Sequence, residues 1–472
     1  MRSGSGFSMS EEVYRAIAGA DSGFVESPAG CGKTESIVRT VGGYCANTQL
    51  VLTHTHAGVD ALRQRFRDHG VPTAKFRIDT IAGWAWGWVR KYPNNAGYEG
   101  ATDIAEWANV YAAMTALLDK DFVVRGILNS YAGIIVDEYQ DCTLPMHALI
   151  ARLNALLPCR VLGDELQGIF DFNSEALVGW ADVRAEFRDD LGALNTPHRW
   201  INAENRDLGQ WLLDNRDAFR DEREPDYTAS PVTMRSISFR ALAGELIRLT
   251  HAVEGSICII RPKARNLHAG LESSLVGHGY QVLEANDLGD LQKLILALCD
   301  GTPAAKRNAA FAFLKRVHGG LAQDDQNFIK RVLAGANQRP QRADRRELCA
   351  RHTGGITPDL MRDLLGYCEA LATVRCKLRE SVSALRCILE DHCESGADLK
   401  GLYAAEIARR RFHSRSHVHR AIGSTLLVKG LEYDHAVILR GPDWQASWGG
   451  YRDLYVALSR GSKSATLIGM TA

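Results

Sequence analysis

Short apolar runs bounded by turn residues recur along the chain: Phe24-Val25, Leu50-Val51-Leu52, Ile134-Ile135-Val136, Val161-Leu162, Ile257-Cys258-Ile259-Ile260 and Val437-Ile438-Leu439. None alternates apolar with polar, which is the pattern of strands covered on both faces in a parallel sheet. Between them lie stretches with apolar residues three and four apart, such as Gly58 to Phe66 and His147 to Leu157, which predict helices. Repeated strand and helix units of this kind predict an α/β fold with two sheets. A polar stretch holding Pro225 and Pro231 separates the two groups of strands and puts the main boundary near 220–235. The expected organisation is a first domain over 1–83 and 126–225 with a small insertion at 84–125. The second domain covers 226–287 and 416–472, with a helical insertion at 288–415.

The local chemistry is concentrated at two strand ends. After Phe24-Val25 comes Ser27-Pro28-Ala29-Gly30-Cys31-Gly32-Lys33-Thr34, opening a helical pattern. Small residues let backbone N–H groups curl round phosphate oxygens, Lys33 supplies a cation, and the Thr34 hydroxyl suits Mg²⁺. Ser27 stands where this loop pattern asks for glycine. The second strand end is Ile134-Ile135-Val136-Asp137-Glu138, a buried run closing on two carboxylates. There Asp137 is suited to hold Mg²⁺ and Glu138 to orient and deprotonate a water. Together the two motifs point to hydrolysis of ATP or another nucleoside triphosphate.

Composition narrows the rest. With 472 residues, 46% apolar and 24% charged, the chain has material for more than one core and no run long enough for a bilayer span. Lys+Arg and Asp+Glu both number 56, so a nucleic-acid partner must be met by a local basic surface. Two clusters offer one: Arg339, Arg342, Arg345, Arg346 and Arg351, then Arg409, Arg410, Arg411, Arg415 and Arg420. The 11 cysteines include no CxxC pair, and Cys387, His392 and Cys393 lack the second close pair of a metal site. Met1 to Phe7 holds no apolar run, so no secretory leader is read and the cytoplasm is expected. The Trp84-Ala85-Trp86-Gly87-Trp88 indoles are expected to be core more than ligand surface.

Asp137-Glu138-Tyr139-Gln140-Asp141 resembles the DExQD box of superfamily 1 helicases of the UvrD/Rep type, and further matches follow in family order. Thr53 to Ala57 with Leu62 to Arg65 resembles motif Ia, and Gly163 to Phe170 resembles the GDxxQxIY motif III. Asn195 to Arg199 is similar to motif IV, Val428 to Asp434 to the KGLEF motif V, and Tyr455 to Arg460 to the YVALTR motif VI. The resemblance implies two RecA-like domains with nucleotide between them and single-stranded DNA, or a junction with duplex, across their top. It implies Arg199 and Arg460 as arginine fingers, Gln167 as a phosphate sensor, and His198 and Glu432 beside the nucleotide. Thr53, Thr55 and Thr80 would meet DNA phosphates, and Phe172 would stack on a base. Arg460 and Glu432 are thereby placed in the second domain and Lys33 in the first.

Departures from the family are Val13 for the adenine-reading Gln, His198 for a stacking Tyr, Leu426 and Ala82 for two His, and Asn173 for an Arg. The compact form resembles the helicase subunit of Gabija-type antiviral systems, which implies a separate nuclease subunit as partner. The activity implied is ATP-dependent translocation on single-stranded DNA, 3′→5′ by resemblance. The alternative is a nucleotide-responsive subunit that binds and controls a nuclease with little unwinding.

Overall fold

The computed structural model describes residues 9–99, 107–169, 176–261, 269–284, 288–335, 340–352, 355–412, 418–441 and 450–471, with the side chains of 9–10, 269–270, 408–412 and 471 left aside. The chain divides into two compact units, Met1–Thr233 with Trp448–Ala465, and Met234–Ser447 with Thr466–Ala472.

The first unit is built on a six-stranded sheet in which every pair of neighbours runs parallel. Its strands are β1 (Ser22–Glu26), β2 (Gln49–Thr53), β3 (Phe76–Thr80), β4 (Gly133–Val136), β5 (Cys159–Gly163) and β6 (Asp190–Ala193), in the order β3-β2-β4-β5-β1-β6. Successive residues of an apolar run turn to opposite faces, as the pleat requires. Phe24, Leu50, Leu52, Ile134, Val136 and Val161 enter one core, while Val25, Val51, Ile135 and Leu162 enter the other. The strand before the phosphate-loop pattern, β1, and the strand before Asp137, β4, are therefore next-nearest neighbours, with β5 between them. In a parallel sheet all the carboxyl ends lie on one edge, and β1, β4 and β5 deliver their following loops there together.

The insertion expected at 84–125 has no core of its own. Its helices Ile81–Lys91, Trp107–Leu117 and Asp121–Ser130 pack their apolar faces on the first sheet, sharing one cluster with Leu50 and Ile134. Trp84 is buried in that cluster, and Trp86 and Trp88 lie partly buried against it.

The second unit holds β7 (Thr233–Ser238), β8 (Ile257–Arg261), β9 (Gln281–Val282), β12 (Arg420–Ser424), β13 (Tyr433–Arg440) and β14 (Gly461–Thr471), ordered β7-β14-β13-β8-β12-β9. A two-stranded antiparallel ladder, β10 (His318–Gly319) with β11 (Arg375–Cys376), interrupts the helices of 288–415. Those helices share a single core with Ile257, Ile259, Ile422 and Val437, so this insertion too is packed on its sheet. No helix among the described residues is long and apolar enough to cross a membrane.

One boundary differs from expectation. Residues 448–465 belong with the first unit, not with the second domain over 416–472, and β14 starts in that segment before ending in the second sheet. The cause is a set of buried polar contacts made by the helix Tyr451–Leu458 and the residues after it, described below.

Candidate active site

The loop Ser27–Gly32 leaves β1 and turns into the helix Lys33–Gly43. Two glycines make the turn: Gly30 at φ 68° and Gly32 at φ 88°, both in the left-handed region that side chains disfavour. Space demands glycine at Gly30 as well, since a Cβ there would fall 2.7 Å from the Trp200 ring, while one on Gly32 would crowd the His198 ring at 3.3 Å. Ser27 is fully buried without positive φ, and its N–H donates to the Gly163 carbonyl at 2.8 Å. The missing glycine is therefore no obstacle. Cys31 is buried too, and burial, reinforced by Asp164, pushes its thiol up to about 12. The first-turn N–H groups of the helix have no intrahelical acceptor, so the loop presents an anion-binding concavity at a positive helix end.

Lys33 opens that helix and is buried. Its Nζ lies 2.7 Å from Glu138 Oε2 and 3.9 Å from Asp137 Oδ1. Burial disfavours the ammonium, yet the two carboxylates outweigh it and hold the pKa above the ordinary value. Asp137 follows β4 at the sheet edge, with its N–H on the Leu52 carbonyl at 2.8 Å. Burial drives its carboxyl well above the usual range, with Glu138 adding and Lys33 opposing. Glu138 itself sits at φ 56°, a left-handed conformation for a non-glycine residue, which turns its carboxylate back toward Lys33.

Gln140 ties this pair to the next strand. Its Nε2 donates to Glu138 Oε2, and its Oε1 accepts the Asp164 N–H at 3.0 Å. Asp164, fully buried after β5, accepts from Gln167 Nε2 (2.9 Å), Ala29 N–H (3.0 Å), the Tyr455 hydroxyl (3.0 Å) and Arg216 (2.9 Å). Arg216 also reaches Glu26 at 2.6 Å and the Tyr455 oxygen at 3.0 Å. Asp164 lay inside the motif III pattern, but nothing in the sequence marked Arg216.

The two arginines of motifs IV and VI meet the same segment. Arg199 donates to the Ser459 carbonyl at 2.7 Å, with its guanidinium 5.5 Å from the Trp200 ring centre. Arg460 is buried, donating to the Val456 carbonyl (2.9 Å), Ser459 Oγ (2.7 Å) and Gln167 Oε1 (3.3 Å). Arg460 thus groups with Lys33 in the first unit. The expectation that it belongs to the second domain is corrected, because its guanidinium is satisfied by partners of the first unit. Glu432 lies in the second unit, exposed, just before β13.

Among the expected nucleic-acid contacts, Thr53 and Thr80 end the neighbouring strands β2 and β3 as register partners. Thr80 is buried and caps the helix Ile81–Lys91 by accepting the Gly83 N–H at 2.9 Å. Thr55 is exposed and caps His56–Asp68 through the Gly58 N–H at 3.1 Å. Both hydroxyls therefore already have capping duties. Phe172 and Asn173 lie outside the described residues. Of the basic clusters, Arg342, Arg345 and Arg351 form ion pairs with Asp325 and Asp344, Asp324 and Asp325, and Glu347 and Asp363. The side chains of Arg339, Arg409, Arg410, Arg411 and Arg415 fall outside the described set. No three described His, Cys, Asp or Glu side chains form a metal-binding group, Cys387, His392 and Cys393 included.

No protein-family model matches the chain, and no curated protein does. Two solved structures share features of its backbone. One is the crystal structure of arterivirus nonstructural protein 10 (helicase), 11% identical over 98% of this chain and 62% of that one, with TM-score 0.34. The other is arterivirus nonstructural protein 10 (helicase) in complex with DNA, 15% identical over 53% of this chain and 49% of the other, with TM-score 0.27. The chain thus spans less than two thirds of the length of either. At these scores the likeness carries no weight for activity, which rests on the residues above.

Proposed function

We propose that the chain is a nucleoside triphosphatase of the superfamily 1 type, using ATP or a related triphosphate with Mg²⁺ to move along single-stranded DNA. The observation that carries the hydrolytic part is the buried Lys33 ammonium held against Glu138 and Asp137 at the mouth of a glycine-turned loop. A cation already sits comfortably beside those carboxylates, which is the charge pattern a divalent ion requires. Thr34 and Asp137 would hold Mg²⁺, which neutralises phosphate charge and orients the phosphates when bound.

The loop and helix N–H groups cradle the triphosphate, and Lys33 exchanges its carboxylate partners for phosphate oxygens. That exchange frees Glu138 to take a proton from water as the water oxygen bonds to the terminal phosphorus. The bond to the bridging oxygen breaks and the nucleoside diphosphate leaves. Gln167, Arg199 and Arg460 lie on one connected set of hydrogen bonds and bear on the charge that develops at the transferred group. Ordered motifs Ia, IV, V and VI support the DNA part of the reading, with a nuclease as a further partner.

The test is ATP and GTP hydrolysis by the purified chain, with and without single-stranded DNA, with Lys33→Ala as the blank. Strong DNA stimulation supports the motor. Hydrolysis indifferent to DNA favours instead the nucleotide-responsive subunit, and hydrolysis undiminished in Lys33→Ala overturns the site.

A further inference from the structure

The buried carboxylate of Asp164 does more than hold the Gln167 amide. It joins two backbone segments far apart in sequence: the rising limb of the phosphate loop, through Ala29 N–H, and the helix Tyr451–Leu458, through the Tyr455 hydroxyl. Ala29 N–H also lies 3.2 Å from that hydroxyl, so Tyr455 touches the loop directly. Arg216 neutralises the cluster from below, on Asp164 and Glu26 at once. Burial alone would disfavour its guanidinium, but Asp164, Tyr455 and Glu26 hold its pKa above the ordinary value. Burial and Asp164 together raise the Tyr455 phenol, against Arg216, which keeps it a neutral donor.

The consequence reaches the arginines. One helical turn beyond Tyr455, Ser459 holds Arg199 by its carbonyl and Arg460 by its hydroxyl. The next residues are fastened to the same unit by Trp200 Nε1 on the Gly461 carbonyl (2.9 Å) and Asn205 on the Lys463 carbonyl (2.8 Å). From Ala29 to Arg460 there is a continuous path of short polar contacts through Asp164 and Tyr455.

We propose that Asp164, Arg216 and Tyr455 form an anchor that sets the phosphate loop and the two arginines in register with each other, acting as positioning residues. The proposal rests on the hydrolytic reading for its catalytic consequence, but the anchor exists without nucleotide. Each member is satisfied by the others, so loss of one loosens both segments together.

Hydrogen exchange on the nucleotide-free chain tests the anchor directly. Tyr455→Phe removes one hydroxyl and keeps the ring and the Arg216–Asp164 ion pair. The amides of Ser27, Ala29, Gly30 and Cys31 and those of 459–463 are expected to exchange at least about tenfold faster together, while the Lys33–Gly43 helix is unchanged. A response confined to one segment, or to neither, overturns the proposal. Because this readout needs no nucleotide, it stands even if Lys33→Ala shows the hydrolytic reading to be wrong.

Kinetics supply the second arm where hydrolysis is present. Tyr455→Phe should lower kcat about tenfold with KM for nucleotide within about twofold, because the arginines act on transition-state charge. The double variant Tyr455→Phe, Gln167→Ala should be little worse than its more damaged single parent. Effects that multiply, or unchanged kcat in Tyr455→Phe, count against the anchor. Arg216→Lys, which keeps the charge, should recover most of the exchange protection lost in Arg216→Met.

Discussion

The first sheet and the second are built from the same kind of text, but their carboxyl edges carry opposite chemistry. β4 and β8 are both fully buried apolar strands. β8 ends in Arg261, whose guanidinium lies 3.1 Å from Glu272; Glu272 also takes Arg316 at 3.2 Å, and Arg316 pairs with Asp290 at 3.3 Å. Charges there close on one another. β4 ends instead in two adjacent carboxylates facing one ammonium, with Asp137 shifted upward and Glu138 in a left-handed conformation. The apolar pattern builds the scaffold in both units, and a few residues beyond the strand end decide which edge is settled and which is poised.

The largest break in that comparison comes from the poised edge. Lys33→Ala and Glu138→Gln should each lower kcat for triphosphate hydrolysis by roughly a thousandfold or more, since they remove phosphate charge stabilisation and the water-orienting base. Glu284→Gln, in the second unit, should leave hydrolysis within about twofold. Steady-state hydrolysis with unchanged circular dichroism is the measurement, and equal losses in all three would erase the distinction.

Glu284 sharpens the comparison because it shares a property with Asp137. It is buried, accepts the Glu380 N–H at 2.8 Å and caps the helix Arg379–Ser395; burial, against Ser381, pushes its carboxyl up to about 7. A carboxyl raised in the folded state binds its proton more tightly there than in the unfolded chain. Its contribution to stability is present at low pH and is lost as pH rises through the folded value. Each of the two groups should therefore make the nucleotide-free chain less stable between about pH 4 and 7, by at most about 1.4 kcal/mol per pH unit. Asp137→Asn and Glu284→Gln should each flatten the melting temperature against pH over that window. Only Asp137→Asn should abolish hydrolysis, and a slope unchanged in both variants would refute the shared origin.

Much of this was legible in the sequence. Phe24-Val25, Leu50 to Leu52, Ile134 to Val136, Val161-Leu162, Ile257 to Ile260 and Val437 to Leu439 all lie in strands, because strands buried on both faces write unbroken apolar runs. β7, largely exposed, and the two-residue strand β9 leave no such run to find. Lys33, Asp137 and Glu138 are brought together as their motifs require, since the spacing encodes loop, helix and strand end. Arg216 was invisible because a lone arginine just after an amphipathic helix has no periodic signature of its own; only the fold shows that it meets Asp164. The placement of Arg460 went wrong for a related reason: motif order tells where a segment lies along the chain, while buried hydrogen bonds decide which unit it joins.

Strain at the poised edge gives a smaller effect, one on stability and not on function. Glu138→Gly and Glu138→Ala both remove the base and should be equally inactive. Glycine tolerates φ 56° and alanine does not, so the glycine variant should be the more stable by about 1 kcal/mol. Chemical denaturation of the two variants measures this, and alanine equal to or above glycine would show that the conformation is not strained.

The smallest effect concerns the helical insertion of the second unit, where a cluster of arginines offers both a structural and a nucleic-acid reading. Arg345 is buried between Asp325 and the Tyr367 hydroxyl, and its role is architectural. Arg351 is exposed and pairs with Glu347 at 2.8 Å and Asp363 at 3.0 Å. Exposed pairs of this kind contribute about 0–1 kcal/mol, and a phosphate would have to displace both carboxylates to use the guanidinium. Arg351→Ala should therefore lower stability by no more than about 1 kcal/mol and leave single-stranded DNA affinity within about twofold at moderate salt. If affinity fell about tenfold and the salt dependence became shallower by about one counterion, the insertion would be a phosphate-binding face and its ion pairs a resting arrangement. Unchanged affinity would instead confine the insertion to the role its core already shows, covering one face of the second sheet.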